Sequence, residues 1–130
     1  MKKILLFSLL GLFALCATGC QSKEDTCCLV TISANSDATI KSICLEKPHD
    51  DLWLGSAPGK YYIPYGKYVE IHFEVEYQSS LGDTQHLRGV EKSVGVGQAK
   101  ELDIKVGSYY KKSSDKTPTP CVWVGGVRRD

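Results

Sequence analysis

The chain has 130 residues, 42% of them apolar and 24% charged, with 12 Gly and 5 Pro. That length holds one ordinary globular domain, and the composition excludes collagen-like, coiled-coil and wholly disordered classes. With 16 basic against 15 acidic side chains the formal charge is +1, which leaves no electrostatic footprint for nucleic acid.

Lys2 and Lys3 form a short positive segment, and Ile4 to Leu15 then runs apolar (ILLFSLLGLFAL). About a dozen helical residues reach about 18 Å, short of a ~30 Å hydrocarbon core, so the segment fits a secretory signal peptide and not a spanning helix. A buried core helix would carry a polar stripe, and this run has none. Ala17-Thr18-Gly19-Cys20 resembles the lipobox of bacterial lipoproteins, in which small residues precede a Cys that is acylated on sulfur and becomes the mature N-terminus. Ala17 departs from the Leu usual in that family. Cys16 is a poor rival, because Leu15 before it is too large for the small-residue position. The resemblance implies a signal peptide over 1–19, lipidation at Cys20, a polar tether over 20–26 and a single domain over 27–130. Its partner would be a membrane, held through the lipid on Cys20, since two acyl chains anchor stably where one does not. Removing Lys2 and Lys3 leaves 14 of the 16 basic groups against 15 acidic ones, a formal −1. The stretch Gln21-Ser22-Lys23-Glu24-Asp25 looks like the lipoprotein export tag of Bacteroidota. Lys23, Glu24 and Asp25 would then direct the protein to the outer membrane and its cell-surface face; without the tag it would face the periplasm.

Of the 6 Cys, Cys16 leaves with the signal and Cys20 takes lipid, so Cys27, Cys28, Cys44 and Cys121 remain. An exported chain meets an oxidising compartment, where an even count suggests bridges. Adjacent Cys27 and Cys28 fit bridge geometry poorly. Cys28 shares parity with Val30 and Ile32 and should face the core, which favours Cys28–Cys44 and Cys27–Cys121 as pairs. The spacing contains no CxxC knuckle for zinc or redox chemistry.

Strand signals then recur in chain order, with no sustained helical periodicity. Cys28 to Ala34 alternates, Asn35-Ser36-Asp37 is turn material, and Thr39 to Leu45 reads as a second strand forming a hairpin with the first. Glu46 to Pro58 is loop-like around a short Leu52-Trp53-Leu54 strand. Tyr68 to Tyr77 is the clearest element, with Val69, Ile71, Phe73, Val75 and Tyr77 on one face and Glu70, His72, Glu74 and Glu76 on the other. His86 to Val96 is a strand with a bulge at Gly89. Lys100 to Val106 alternates again, Cys121 to Val124 is a last strand, and Gly125 to Asp130 should fray. Six to eight short strands predict an all-β fold, a small antiparallel β-sandwich of immunoglobulin-like or transthyretin-like topology, with disulfide staples. Trp53 and Trp123 are core candidates.

No segment combines the parts of an enzyme, and no cofactor or metal is expected. His72 lies between Glu70 and Glu74, but i and i+2 positions on a strand are ~7 Å apart, so a solvated polar face is the plainer reading. His49-Asp50-Asp51 lacks a second His-rich segment to join it. Tyr61, Tyr62, Tyr65 and Tyr68 put four rings around the Pro64 turn, a candidate binding patch for a glycan or an envelope protein. Ser56-Ala57-Pro58-Gly59-Lys60-Tyr61 is similar to the Ser-Ala-x-Gly-x-Tyr stretch of the small lipoprotein inhibitors of C-type lysozyme. That resemblance spans six residues and implies active-site-blocking roles for Ser56 and Lys67, although the family's Trp-rich strand before the Lys is missing. The expected function is therefore a membrane-anchored binding or structural module of the cell envelope, the alternative being an inhibitor or immunity-type lipoprotein that blocks a lytic enzyme. Cys20→Ala should abolish incorporation of radiolabelled palmitate and leave the precursor unprocessed; undiminished labelling would exclude lipidation at this residue.

Overall fold

A computed structural model describes residues 23–129; the expected signal peptide over 1–19 and the expected lipidation residue Cys20 lie outside the described residues. One helical turn, α1 (Lys23–Thr26), leads into nine strands: β1 (Cys27–Ala34), β2 (Ala38–Leu45), β3 (Leu52–Gly55), β4 (Gly59–Pro64), β5 (Tyr68–Gln78), β6 (Thr84–Gly95), β7 (Glu101–Tyr109), β8 (Thr119–Val124) and β9 (Val127–Arg129). Lys23, Glu24 and Asp25, the residues of the expected export tag, open α1, and the Tyr65 N–H donates to the Thr26 carbonyl at 3.0 Å. The end of the expected tether is thereby joined to the domain.

The strands form two sheets, ordered β4-β1-β7-β8-β9 and β3-β2-β5-β6, which enclose one core. The all-β sandwich follows from alternation. Val69, Ile71, Phe73 and Val75 of β5 are fully buried and face Val30, Ile32, Ile63, Ile104 and Val106 of the opposite sheet. Among the described residues no polar or charged one is buried, so the core rests on apolar transfer and packing.

Topology departs from the expected hairpin. β1 and β2 lie in different sheets, and Asn35-Ser36-Asp37 carries the chain across the sandwich. The arch is held by long-range partners: the Asn35 N–H donates to Val106 O at 2.9 Å and the Glu76 N–H to Asp37 O at 2.8 Å. An immunoglobulin-like order would place the first, second, fourth and fifth strands in one sheet, and this one does not. The β1–β7 pair is parallel, so the first sheet is mixed.

Three register shifts adjust the second sheet: one between β2 and β3 at Ile43-Cys44, and one on each side of β5. Ile40 pairs with Phe73 and Ser42 with His72, which leaves Lys41 as the extra residue in β2 and brings both Ile40 and Ile43 inward. In β6, Val90 pairs with Phe73 and Leu87 with Val75, so the extra residue falls at Arg88-Gly89, where Gly89 has φ +68°. As far as Arg129, the C-terminal segment does not fray. Gly125 and Gly126 both have positive φ, the requirement of a two-residue type I′ hairpin turn, and Val127–Arg129 returns along β8.

The expected pairings are not formed: no two of Cys27, Cys28, Cys44 and Cys121 stand at disulfide distance. Cys28 faces the core, whereas Cys44 stands opposite Glu70 on the outer face of the second sheet, so a whole sheet separates them. Cys121 is opposite Gly107, one step past the end of β1, while Cys27 begins β1. About eight residue steps, or ~26 Å along the strands, divide this pair, against the ~7 Å Cα limit of a bridge. Neither Trp is in the core: Trp53 is 62% exposed, and Trp123 lies half-buried on the outside of the first sheet under Lys105 Nζ, 5.1 Å from the ring centroid.

Phe73→Ala, which empties the centre of the core, should cost about 3–5 kcal/mol. Glu76→Ala, on the exposed face of the same strand, should stay within about 0.5 kcal/mol. Urea melts of the two variants measure the contrast.

Candidate functional site

The outer face of the second sheet carries the only described group of three metal-ligating side chains with converging donor atoms. It begins with the turn after β5. The Ser79 hydroxyl accepts from the N–H groups of Leu81 (3.3 Å) and Asp83 (3.1 Å), and the Ser79 N–H donates to Asp83 O at 2.8 Å. Gly82, at φ +88°, supplies the left-handed residue that this turn requires. A hairpin turn sets register, and this register, with the Gly89 bulge, places Glu91 directly opposite His72 and His86 opposite Glu76.

His72 Nε2 lies 2.6 Å from Glu70 Oε1 and 3.8 Å from Glu91 Oε2. The ~7 Å spacing of alternate strand positions is closed because both side chains are long enough to lean together along the strand. A second cluster follows on the same face, where His86 Nδ1 is 2.6 Å from Glu74 Oε1. Lys41 and Arg88 also reach Glu74, at 4.0 and 3.8 Å. The solvated row expected from the sequence is thus two organised clusters, and His72 pairs with Glu70 and Glu91, not with Glu74. Sequence reasoning found His72, Glu70 and Glu74 but missed His86 and Glu91. Their signal was their place on the polar positions of the next strand, readable only with the hairpin register.

Cys44 borders the first cluster. Burial, then the charge of Glu70, then that of Asp51, push its thiol above the ordinary thiol value, while a hydrogen bond from Ser42 pulls it down. The buried Cys28 thiol is also pushed up, by burial first and then by Cys27 and Glu101. Neither is an activated nucleophile, since activation needs a lowered value.

The four tyrosines do not make one patch. Tyr61 and Tyr65 pack against the core, and the Tyr61 hydroxyl donates to the Ala57 carbonyl. Tyr62 sits opposite Leu29 on the outside of the first sheet. Tyr68, 53% exposed, is on the outside of the second, where its ring lies over Gly95; a Cβ there would meet it at 2.8 Å. Nor does the structure bring Ser56 and Lys67 together: they flank β4 at its two ends, about 20 Å apart along the strand. His49-Asp50-Asp51 stays an exposed loop.

The geometry defines a small β-sandwich with a histidine–carboxylate face. No family model, curated protein or solved structure matches the chain.

Glu70→Gln removes a charge that holds the Cys44 thiol protonated. Iodoacetamide labelling of Cys44 in metal-free buffer near pH 8, read by peptide mass spectrometry, should be faster in this variant than in the wild type. An unchanged rate would show that the Glu70 charge does not act on this thiol.

Proposed function

We propose that the chain is a membrane-tethered binding module of the cell envelope, an outer-membrane lipoprotein held by acyl chains on Cys20 and presenting the far end of its sandwich to a partner. The observation that carries this reading is the polarity of the domain along its strands. At the entry end α1 leads into β1, and the β4–β5 and β6–β7 connections close around it. The Tyr65 N–H bonds Thr26 O, the Gly66 N–H bonds Gly97 O, and the Leu29 N–H bonds Lys100 O, all at 2.9–3.0 Å. A tether over 20–26 that ends in a helical turn spans at most about 20 Å, so this end would lie near the membrane.

The opposite end gathers the β1–β2, β5–β6 and β7–β8 connections. Leu81 is 87% exposed there, and Tyr110 is half exposed. Beside them is an open cleft of about 340 Å³, lined by Gln78, Ser79, Ser80, Tyr110, Asp115 and Lys116. Exposed apolar and aromatic groups around hydroxyl and charged side chains suit a protein or glycan partner. Loops held by a rigid scaffold are a common location for binding residues. The lysozyme-inhibitor alternative draws no comparable support, since Ser56 and Lys67 are apart.

A photo-crosslinking residue placed at Leu81 in intact cells should capture one discrete envelope partner, and the same residue at Lys47, near the entry end, should not. Equal capture at both positions, or none at Leu81, would count against the orientation. A captured soluble lytic enzyme would favour the inhibitor reading instead.

A further inference from the structure

We propose that Glu70, His72 and Glu91 form a divalent-cation site on the outer face of the second sheet, suited to Zn²⁺ or a neighbouring first-row ion. One imidazole nitrogen and one oxygen from each carboxylate all lie within 4.8 Å of one another. Two donors bonded to one tetrahedral zinc at ~2.0–2.1 Å are about 3.3–3.4 Å apart. The 2.6 Å Glu70–His72 and 3.8 Å His72–Glu91 separations bracket that value. An ion bound here would replace the hydrogen bond between His72 and Glu70 and draw the Glu91 oxygen inward from its place within 4.8 Å of the other two donors. The three residues stand on neighbouring strands whose pairing is unbroken from Tyr68 to Phe73, with His72 opposite Glu91 and Glu70 opposite Ser93. The Ser93 hydroxyl is engaged elsewhere, donating to Glu46 Oε1 at 2.9 Å.

Charge provides the second line of reasoning, through a comparison within one strand. Glu70 and Glu74 are similarly shielded, at 13% and 18% side-chain exposure. Glu74 is balanced by Lys41, His86 and Arg88. Among the described residues, no Lys or Arg lies within 4.0 Å of Glu70 or Glu91, and the two share one histidine. Glu91 is 55% exposed and solvated, so the charge that lacks compensation is that of the shielded Glu70. A shielded carboxylate is costly without compensation, and a divalent cation supplies it while drawing on every donor present. Imidazole with carboxylates suits zinc and its first-row neighbours, where an all-oxygen set would suit Mg²⁺ or Ca²⁺. Three protein ligands on an open face leave a coordination position for water or for a group from another molecule.

The full-length chain, purified in detergent and stripped with EDTA, is titrated with ZnCl₂ by calorimetry at neutral pH. About one Zn²⁺ per chain should bind, and His72→Gln or Glu70→Gln should weaken binding by about tenfold or more. Glu74→Gln, on the same strand and face, should leave the affinity within about twofold, as an independent site does. Zinc should also raise the melting temperature of the wild type and not that of His72→Gln, with circular dichroism confirming that each variant is folded. Absence of saturable binding, or equal affinity in folded His72→Gln, would overturn the site. Failure of the tether or of the Leu81 partner would leave it untouched.

Discussion

Everything in the second sheet depends on the alternation of β5. This strand pairs with β2 on one side and β6 on the other, so its parity is imposed on both neighbours. Val69, Ile71, Phe73 and Val75 lie at 0% exposure, and a slip of one residue would bring Glu70, His72 and Glu74 into the core. Burying several such groups costs more than a domain of this size has in net stability. The same alternation that fills the core therefore lines up the polar row outside. The histidine–carboxylate clusters are the other face of the packing, and their order comes from it.

The first sheet solves a different problem. Its β1–β7 pair is parallel, and parallel neighbours cannot be joined by a hairpin. The intervening chain crosses to the second sheet, returns as β4, crosses again and comes back, so that β1 and β7 lie side by side with Leu29 opposite Glu101. Long-range pairing of this kind closes both ends of the domain and sorts the connections into two groups, one around α1 and one around Leu81.

Local chemistry was legible in the sequence, and the pairing of distant parts was not. The run Tyr68 to Tyr77 announced its buried face unaided, as did the bulge at Gly89. Asn35-Ser36-Asp37 announced a reversal but not its destination. What sends it across the sandwich is its attachment to Val106 and Glu76, which lie far along the chain. The disulfide expectation failed for the same reason: the parity of Cys28 was right, but the positions of Cys44 and Cys121 depended on sheet assignment and strand register. The candidate site divides along the same line. His72 and its same-strand carboxylates were visible in one segment, while Glu91 and His86 needed the Ser79–Asp83 turn and the β6 bulge to be placed opposite them.

The open edges of the two sheets are short or charged. β3 has four residues and β9 has three, two of them Arg. β4 ends in Pro64, and β6 pairs Lys92 opposite the inward-facing Ile71. Each of these features obstructs the addition of another strand. At high local concentration, collisions between copies of this molecule would find no smooth template for sheet extension. Resistance to edge-to-edge pairing is therefore built into the margins of the fold, independently of what the faces bind.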